Sequence, residues 1–234
     1  MKNLIFTCLI LALVISLSGC SKDKNKDDDK NKPFNENCEA VSLQGITTQI
    51  DGDIMYEELE DTAKLNEYVA CITECSQNSP NDVNCIMNCL DASGLMPTGG
   101  AFNLSLKFTN TTSTQITYTI NPGTWFFPAS SDYQPMLIVV PVTVVIEAYE
   151  TVEVTIPVFC LNVSKSAPDF SSTYTMCDVV SSGCLAEIVK ILKTKDVSNL
   201  SYTQTSQIQD IIWDCTEGDE VDYDYLKSLP SLKK

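Results

Sequence analysis

The chain of 234 residues contains no histidine, and all fifteen of its basic residues are lysines. The first absence removes Ser-His-Asp and Cys-His nucleophilic catalysis together with every histidine-ligated metal site. The second removes bidentate guanidinium clamps on phosphate. Positive charge is scarce in general, because 31 Asp and Glu residues leave a formal net charge of −16. Such a surface repels nucleic acid and anionic lipid headgroups, so neither is expected as a partner. Long apolar runs are equally rare. The main one, Leu4 to Leu17, falls short of the roughly 20 residues that a membrane-spanning helix needs.

What is present at that end has its own pattern. Met1-Lys2-Asn3 gives a short positive start, Leu4 to Leu17 an apolar core, and Ser18-Gly19 a small-residue site where a signal peptidase can cut before Cys20. Leu17-Ser18-Gly19-Cys20 resembles the lipobox of bacterial lipoproteins. The resemblance implies that Cys20 becomes the first mature residue and is acylated on its thiol and its amine, which is enough for stable anchoring. Ser21 after Cys20, and the Lys/Asp/Asn run that follows it, are similar to the tethers of lipoproteins that reach the outer membrane and its exposed surface. Residues 20–37 cannot bury enough apolar surface to order themselves and read as a lipidated, disordered tether behind a 1–19 signal peptide.

Removing Cys8 and Cys20 from the eleven cysteines leaves nine, which in an exported chain reads as a disulfide framework. The tightest local motif is Cys71-x3-Cys75-x9-Cys85-x3-Cys89 within a 38–97 helical hairpin region. Leu65, Tyr68, Val69 and Ile72 share one helical face, and Ser79-Pro80-Asn81-Asp82 breaks the helix before a second one runs to about Ala92. Cysteines four apart lie on one helix face. Folding the helices antiparallel sets Cys75 opposite Cys85 and Cys71 opposite Cys89, giving two staples. The arrangement resembles the twin Cys-x3-Cys helical hairpins. A four-cysteine zinc site is the alternative, but export favours oxidation, and no metal or other cofactor is expected.

After Gly99-Gly100 the period becomes alternating: Phe102, Leu104, Leu106 and Phe108; then Ile116, Tyr118 and Ile120; then Val152, Val154, Ile156, Val158 and Cys160. These strands, with the apolar run from Met136 to Ile146 cut by Pro141, read as an immunoglobulin-like antiparallel β-sandwich. Its helical C-terminal part carries a stripe of Leu185, Ile188, Val189 and Leu192 and a short helix from Ser206 to Trp213. The expected class is therefore α+β, with a disulfide-stapled hairpin followed by a sandwich over 98–234. By parity Cys160 lies on the buried strand face.

Phe159-Cys160-Leu161-Asn162, followed by Gln209-Asp210-Ile211-Ile212-Trp213, resembles the thioester domains of bacterial surface adhesins. The resemblance implies an internal thioester between the Cys160 sulfur and the Gln209 side-chain carbonyl, which a partner amine could open. If Cys160 is used in this way, Cys38, Cys177, Cys184 and Cys215 make two pairs. Alternatively Cys215 bridges to Cys160 and Cys38 is left over; the sequence leaves this connectivity open.

Two functions follow. The leading one is a surface-exposed lipoprotein that binds or adheres to a protein or glycan ligand without turnover, and so is not an enzyme. The other is the covalent thioester adhesin. Asp51-Gly52-Asp53 and the acidic run 217–224 lack the spacing of a calcium loop, and Glu147, Glu150 and Glu153 read as a solvated turn.

Overall fold

The computed structural model describes residues 38–53, 62–78, 85, 89, 92, 100–169 and 171–233. The stretches read above as a signal peptide and a tether, Cys20 between them, and most of the stretch read as a second hairpin helix lie outside the described residues. In chain order the elements are β1 (Ile46–Asp53), α1 (Thr62–Asn78), β2 (Phe102–Asn110), β3 (Ile116–Ile120), β4 (Thr124–Pro128), β5 (Met136–Leu137), β6 (Val142–Ile146), β7 (Thr151–Cys160), β8 (Tyr174–Val179), α2 (Gly183–Leu192), a single 3-10 turn (Val197–Asn199), α3 (Tyr202–Glu217) and α4 (Tyr223–Ser228). The class is α+β, and every pairing between named strands is antiparallel.

Six strands form one sheet in the order β1-β2-β7-β5-β4-β8, and β3 pairs with β6 in a second sheet. The two edges of the larger sheet approach one another. Asp51 bridges to Thr173, the Gly52 N–H donates to the Ser172 carbonyl (2.7 Å), and the Val41 N–H donates to the Met176 carbonyl (3.0 Å). The result is barrel-like, with its edge groups paired rather than left open as in a two-sheet sandwich. Gly52 makes this closure possible: a Cβ there would come within 2.1 Å of Ser172 Oγ and 2.3 Å of the Asp169 carbonyl. β1 lies within the stretch read as a hairpin region and belongs instead to this sheet.

Alternation places the core. Ile46 and Ile50 of β1, Leu104, Leu106 and Phe108 of β2, and Ile156, Val158 and Cys160 of β7 point into the barrel. β3 and β6 cover it with Ile120, Val144 and Ile146. The opposite parity sends Leu137, Phe159 and Leu161 outward into a second core with α2, α3 and α4. Disulfides fasten this arrangement: Cys38–Cys177 ties the chain entry to β8, and Cys184–Cys215 ties α2 to the end of α3. In the hairpin the bonds are Cys71–Cys89 and Cys75–Cys85. No helix among the described residues is long and apolar enough to cross a membrane.

Candidate functional site

β2 ends one strand register short of β7. Phe102 pairs with Val158, the Ala101 N–H donates to the Val158 carbonyl (2.9 Å), and the ladder stops there. Gly100 sits against that last rung, where a Cβ would come within 2.4 Å of the Val158 nitrogen. Cys160, two residues further along β7, has its N–H and C=O on the same side as those of Val158 and no strand beside them. On the other side Leu161 is served by the Pro135 carbonyl (2.9 Å). A buried strand cannot leave these groups unpaired without a cost.

Gln209 fills the gap. The Cys160 N–H donates to Gln209 Oε1 (2.7 Å), and Gln209 Nε2 donates to the Cys160 carbonyl (2.8 Å). The side-chain amide thus stands in for one peptide unit of the missing strand. Because one partner only donates and the other only accepts, the amide has a single orientation that satisfies both. Cys160 is wholly buried and Gln209 is 4% exposed. Of the cysteines in the described barrel and hairpin, Cys160 is the one outside the four disulfides, a buried thiol.

The placement of Gln209 follows from how α3 is made. The Ser201 hydroxyl accepts from the Gln204 N–H, and Gln204 Oε1 accepts from the Ser201 N–H, a reciprocal cap on the first turn. Gly218, in the left-handed region at φ 80°, ends the helix. One face carries Ile208, Ile211, Ile212 and Cys215 into the outer core, while Trp213, one turn after Gln209, reaches the barrel interior. The helix therefore plugs the slot left where β2 stops.

Two further polar groups belong to this site, one on Trp213, which closes the Gln209–Trp213 motif, and one on Tyr174. The Tyr174 hydroxyl and Trp213 Nε1 are buried, and among the described residues neither makes a well-formed hydrogen bond. Tyr174 is 7% exposed and shares the interior cluster with Cys160 and Trp213. Burial pushes its phenol well above the ordinary tyrosine range; Ser172 opposes the rise, and Cys160, Asp169 and Tyr133 add to it. The Ser172 hydroxyl accepts from the Asp169 N–H (3.0 Å) and donates to its carbonyl (2.6 Å), which leaves it a second lone pair able to accept from Tyr174. The alternation of Tyr174 and Met176 is the signal for β8, a strand that the sequence reading did not include because an irregular loop precedes it.

The remaining candidates sit elsewhere. Cys71, Cys75 and Cys89 bring their sulfurs within 4.8 Å of one another, the one such ligand cluster among the described residues, and those sulfurs are engaged in disulfides. Asp51 and Asp53 lie on β1, where Asp51 accepts from Gln49 (2.8 Å). Glu153 faces out from β7 and accepts from Ser105 (2.7 Å) beside Lys107, while Glu147 accepts from Gln115. Glu220, Asp222 and Asp224 border a shallow solvent-facing groove with Lys227.

The site is therefore a thiol and a carboxamide in a buried interior, whose cluster also holds Tyr174 and Trp213. Comparison with protein families, with characterised proteins and with solved structures gave no match, so what this site can do is argued from its own geometry.

Proposed function

We propose that this protein is an exported, lipid-anchored envelope protein whose barrel captures a partner amine through a thioester between Cys160 and Gln209. The observation that carries the reading is the double hydrogen bond that holds the Gln209 carboxamide against Cys160. It fixes the carbonyl carbon beside the residue whose sulfur would attack it, and the Cys160 N–H polarises the carbonyl oxygen as an oxyanion donor would. In the forming step the bond from Cys160 Sγ to Gln209 Cδ is made and the bond from Cδ to Nε2 is broken. The thiol proton leaves on the departing ammonia. The surrounding Val, Ile and Phe side chains keep water away from the product. A primary amine then attacks Cδ, the C–S bond breaks, and the sulfur regains a proton; no histidine is needed.

The four disulfides support an oxidising compartment, in keeping with anchoring through an acylated Cys20 at the outer membrane surface. On this reading the barrel is a variant of the immunoglobulin-like thioester domain with its sheet edges drawn together. The second reading is a binding module that captures nothing covalently. It is favoured by the fact that both polar atoms of Gln209 are already satisfied by the Cys160 main chain, a purely structural use.

Intact mass of the mature chain, denatured without reductant, separates the two. A thioester appears as the loss of one ammonia and as uptake of one methylamine at Gln209, both abolished in Cys160→Ala. Full mass with no uptake leaves the non-covalent module.

A further inference from the structure

We propose that the stapled hairpin is a thiol–disulfide exchange site, in which its two disulfides act as one relay that oxidises thiols on a partner protein. This is independent of the thioester reading. Cys71 and Cys75, four apart on α1, lie on one helix face, so their bonds to Cys89 and Cys85 sit side by side. The two bonds touch: Cys75 Sγ lies 3.4 Å from Cys89 Sγ. Both atoms are already bonded within disulfides, so this is a contact between sulfurs of different bonds rather than a thiol hydrogen bond. Exposure follows the same order. Cys75 and Cys89 are 4% and 1% exposed, whereas Cys71 and Cys85 are half-buried. The sulfurs therefore run Cys85, Cys75, Cys89, Cys71, with the outer residues reachable and the inner sulfurs in contact. Among the described residues no other disulfide has a third cysteine sulfur within 4.8 Å of its own pair. Stapling alone does not call for the contact, since each bond closes its own loop.

Exchange proceeds by attack of a thiolate on a disulfide sulfur. Glu67 and Glu74, one turn before and one turn after Cys71, are exposed on α1 and repel an incoming anion, so entry is at Cys85. A bond forms from the partner sulfur to Cys85 Sγ, the bond from Cys85 to Cys75 breaks, and the electron pair leaves on Cys75 Sγ. That buried sulfur is held against Cys89 Sγ, which gives it the advantage of an intramolecular reactant. The bond from Cys75 to Cys89 forms, the bond from Cys89 to Cys71 breaks, and the pair leaves on Cys71 Sγ, which takes up the proton of the first partner thiol. A second partner thiolate attacks the partner sulfur in the mixed disulfide. The partner leaves with a disulfide, and Cys85 regains a thiol with the second proton. Two thiols are oxidised, one of the two hairpin disulfides is reduced, and the inner bond keeps the hairpin closed.

The test uses the mature chain in a Cys160→Ala background, which keeps that buried thiol out of the exchange. One equivalent of dithiothreitol is added, free thiols are trapped with excess iodoacetamide before unfolding, and the bonds are mapped by peptide mass. The expected product is a cross-link between Cys75 and Cys89 with Cys71 and Cys85 alkylated. Loss of one native hairpin bond with the other intact and no inner cross-link overturns the relay. Cys85→Ser isolates the inner step without any reductant and keeps a staple. Its Cys75 sulfur should displace Cys71, so that label accumulates on Cys71 and the inner cross-link appears; label on Cys75 alone, with Cys71–Cys89 unbroken, overturns the proposal. Cys71→Ser/Cys85→Ser should form the inner bond directly and keep the helix content of the parent, and two free thiols there would also overturn it.

Discussion

Replacing Gln209 by leucine measures how much the main chain of Cys160 depends on a side chain from another element. In wild type that measurement would be confounded by the proposed thioester, whose formation would remove Nε2. It is therefore made in a Cys160→Ala background, where no sulfur is present but the Cys160 N–H and C=O remain. Leucine keeps nearly the volume of glutamine and stays apolar, so the cavity term is small. What is lost is the partner of two buried main-chain groups whose bonds measure 2.7 and 2.8 Å. Each group left unsatisfied costs about 1–3 kcal/mol, so Cys160→Ala/Gln209→Leu should be less stable than Cys160→Ala by roughly 2–5 kcal/mol. Urea unfolding with disulfides intact reads this as a lower midpoint at unchanged slope. For a chain of this size the thermal midpoint should fall by on the order of 5–15 °C. A difference below about 0.5 kcal/mol would refute the reasoning, because water or a shifted strand would then serve β7 as well as Gln209 does.

Other perturbations test neighbouring parts of the same logic. Gly100→Ala should cost about 1–3 kcal/mol, since its Cβ would press on Val158 within 2.4 Å, and it should also slow ammonia loss in the mass assay by displacing the strand that ends at Cys160. Breaking the bond between Cys184 and Cys215, 31 residues apart, by a double Cys→Ala change should lower stability in urea by about 2–4 kcal/mol and loosen the end of α3. Burial pushes the Asp169 carboxyl up, but the Ser171 and Tyr133 hydroxyls and the N–H groups of Ser171 and Ser172 outweigh it and hold the carboxyl below 3.8. A depressed folded pKa contributes stability that is present above the unfolded value and is lost as pH falls through the folded one. The stability gap between wild type and Asp169→Asn should therefore be full at neutral pH and close as unfolding is followed into more acid solution.

Local pattern carried the argument wherever the deciding contact was local. Strict alternation from Val152 to Cys160 was enough to put the thiol on the interior face, where it lies. Ile208, Ile211 and Ile212 announced a helix, but α3 begins at Tyr202 rather than Ser206 because Ser201 and Gln204 form a capping box, a signal present in the sequence and passed over. Leu185, Ile188, Val189 and Leu192 make the buried face of α2, the stripe that their spacing describes. β1 was harder to see: its apolar positions thin out to Ile46 and Ile50, it ends in Asp51-Gly52-Asp53, and its partner in β2 lies some fifty residues on. The Asp-Gly-Asp that reads locally as a turn or an ion site is a strand end whose glycine lets the Ser172 loop approach.

Closure of the sheet and the pairing of Cys38 with Cys177 share this character, since each joins residues more than one hundred positions apart. No periodicity encodes such contacts, which is why a sandwich with open edges and a sheet with joined edges look the same in sequence. The difference bears on the site. In the closed form the interior that holds Cys160 is bounded by paired strands and by α3, and Cys160 is wholly buried. On the thioester reading, the route for an amine is the slot where β2 stops and α3 lies against it. Methylamine can pass through small openings, whereas a lysine side chain on a folded partner needs that plug to shift. Loosening α3 by removing the Cys184–Cys215 bond should then favour the larger nucleophile over the smaller one. The ratio of the two uptake rates, rather than either rate alone, reports whether the helix is the gate.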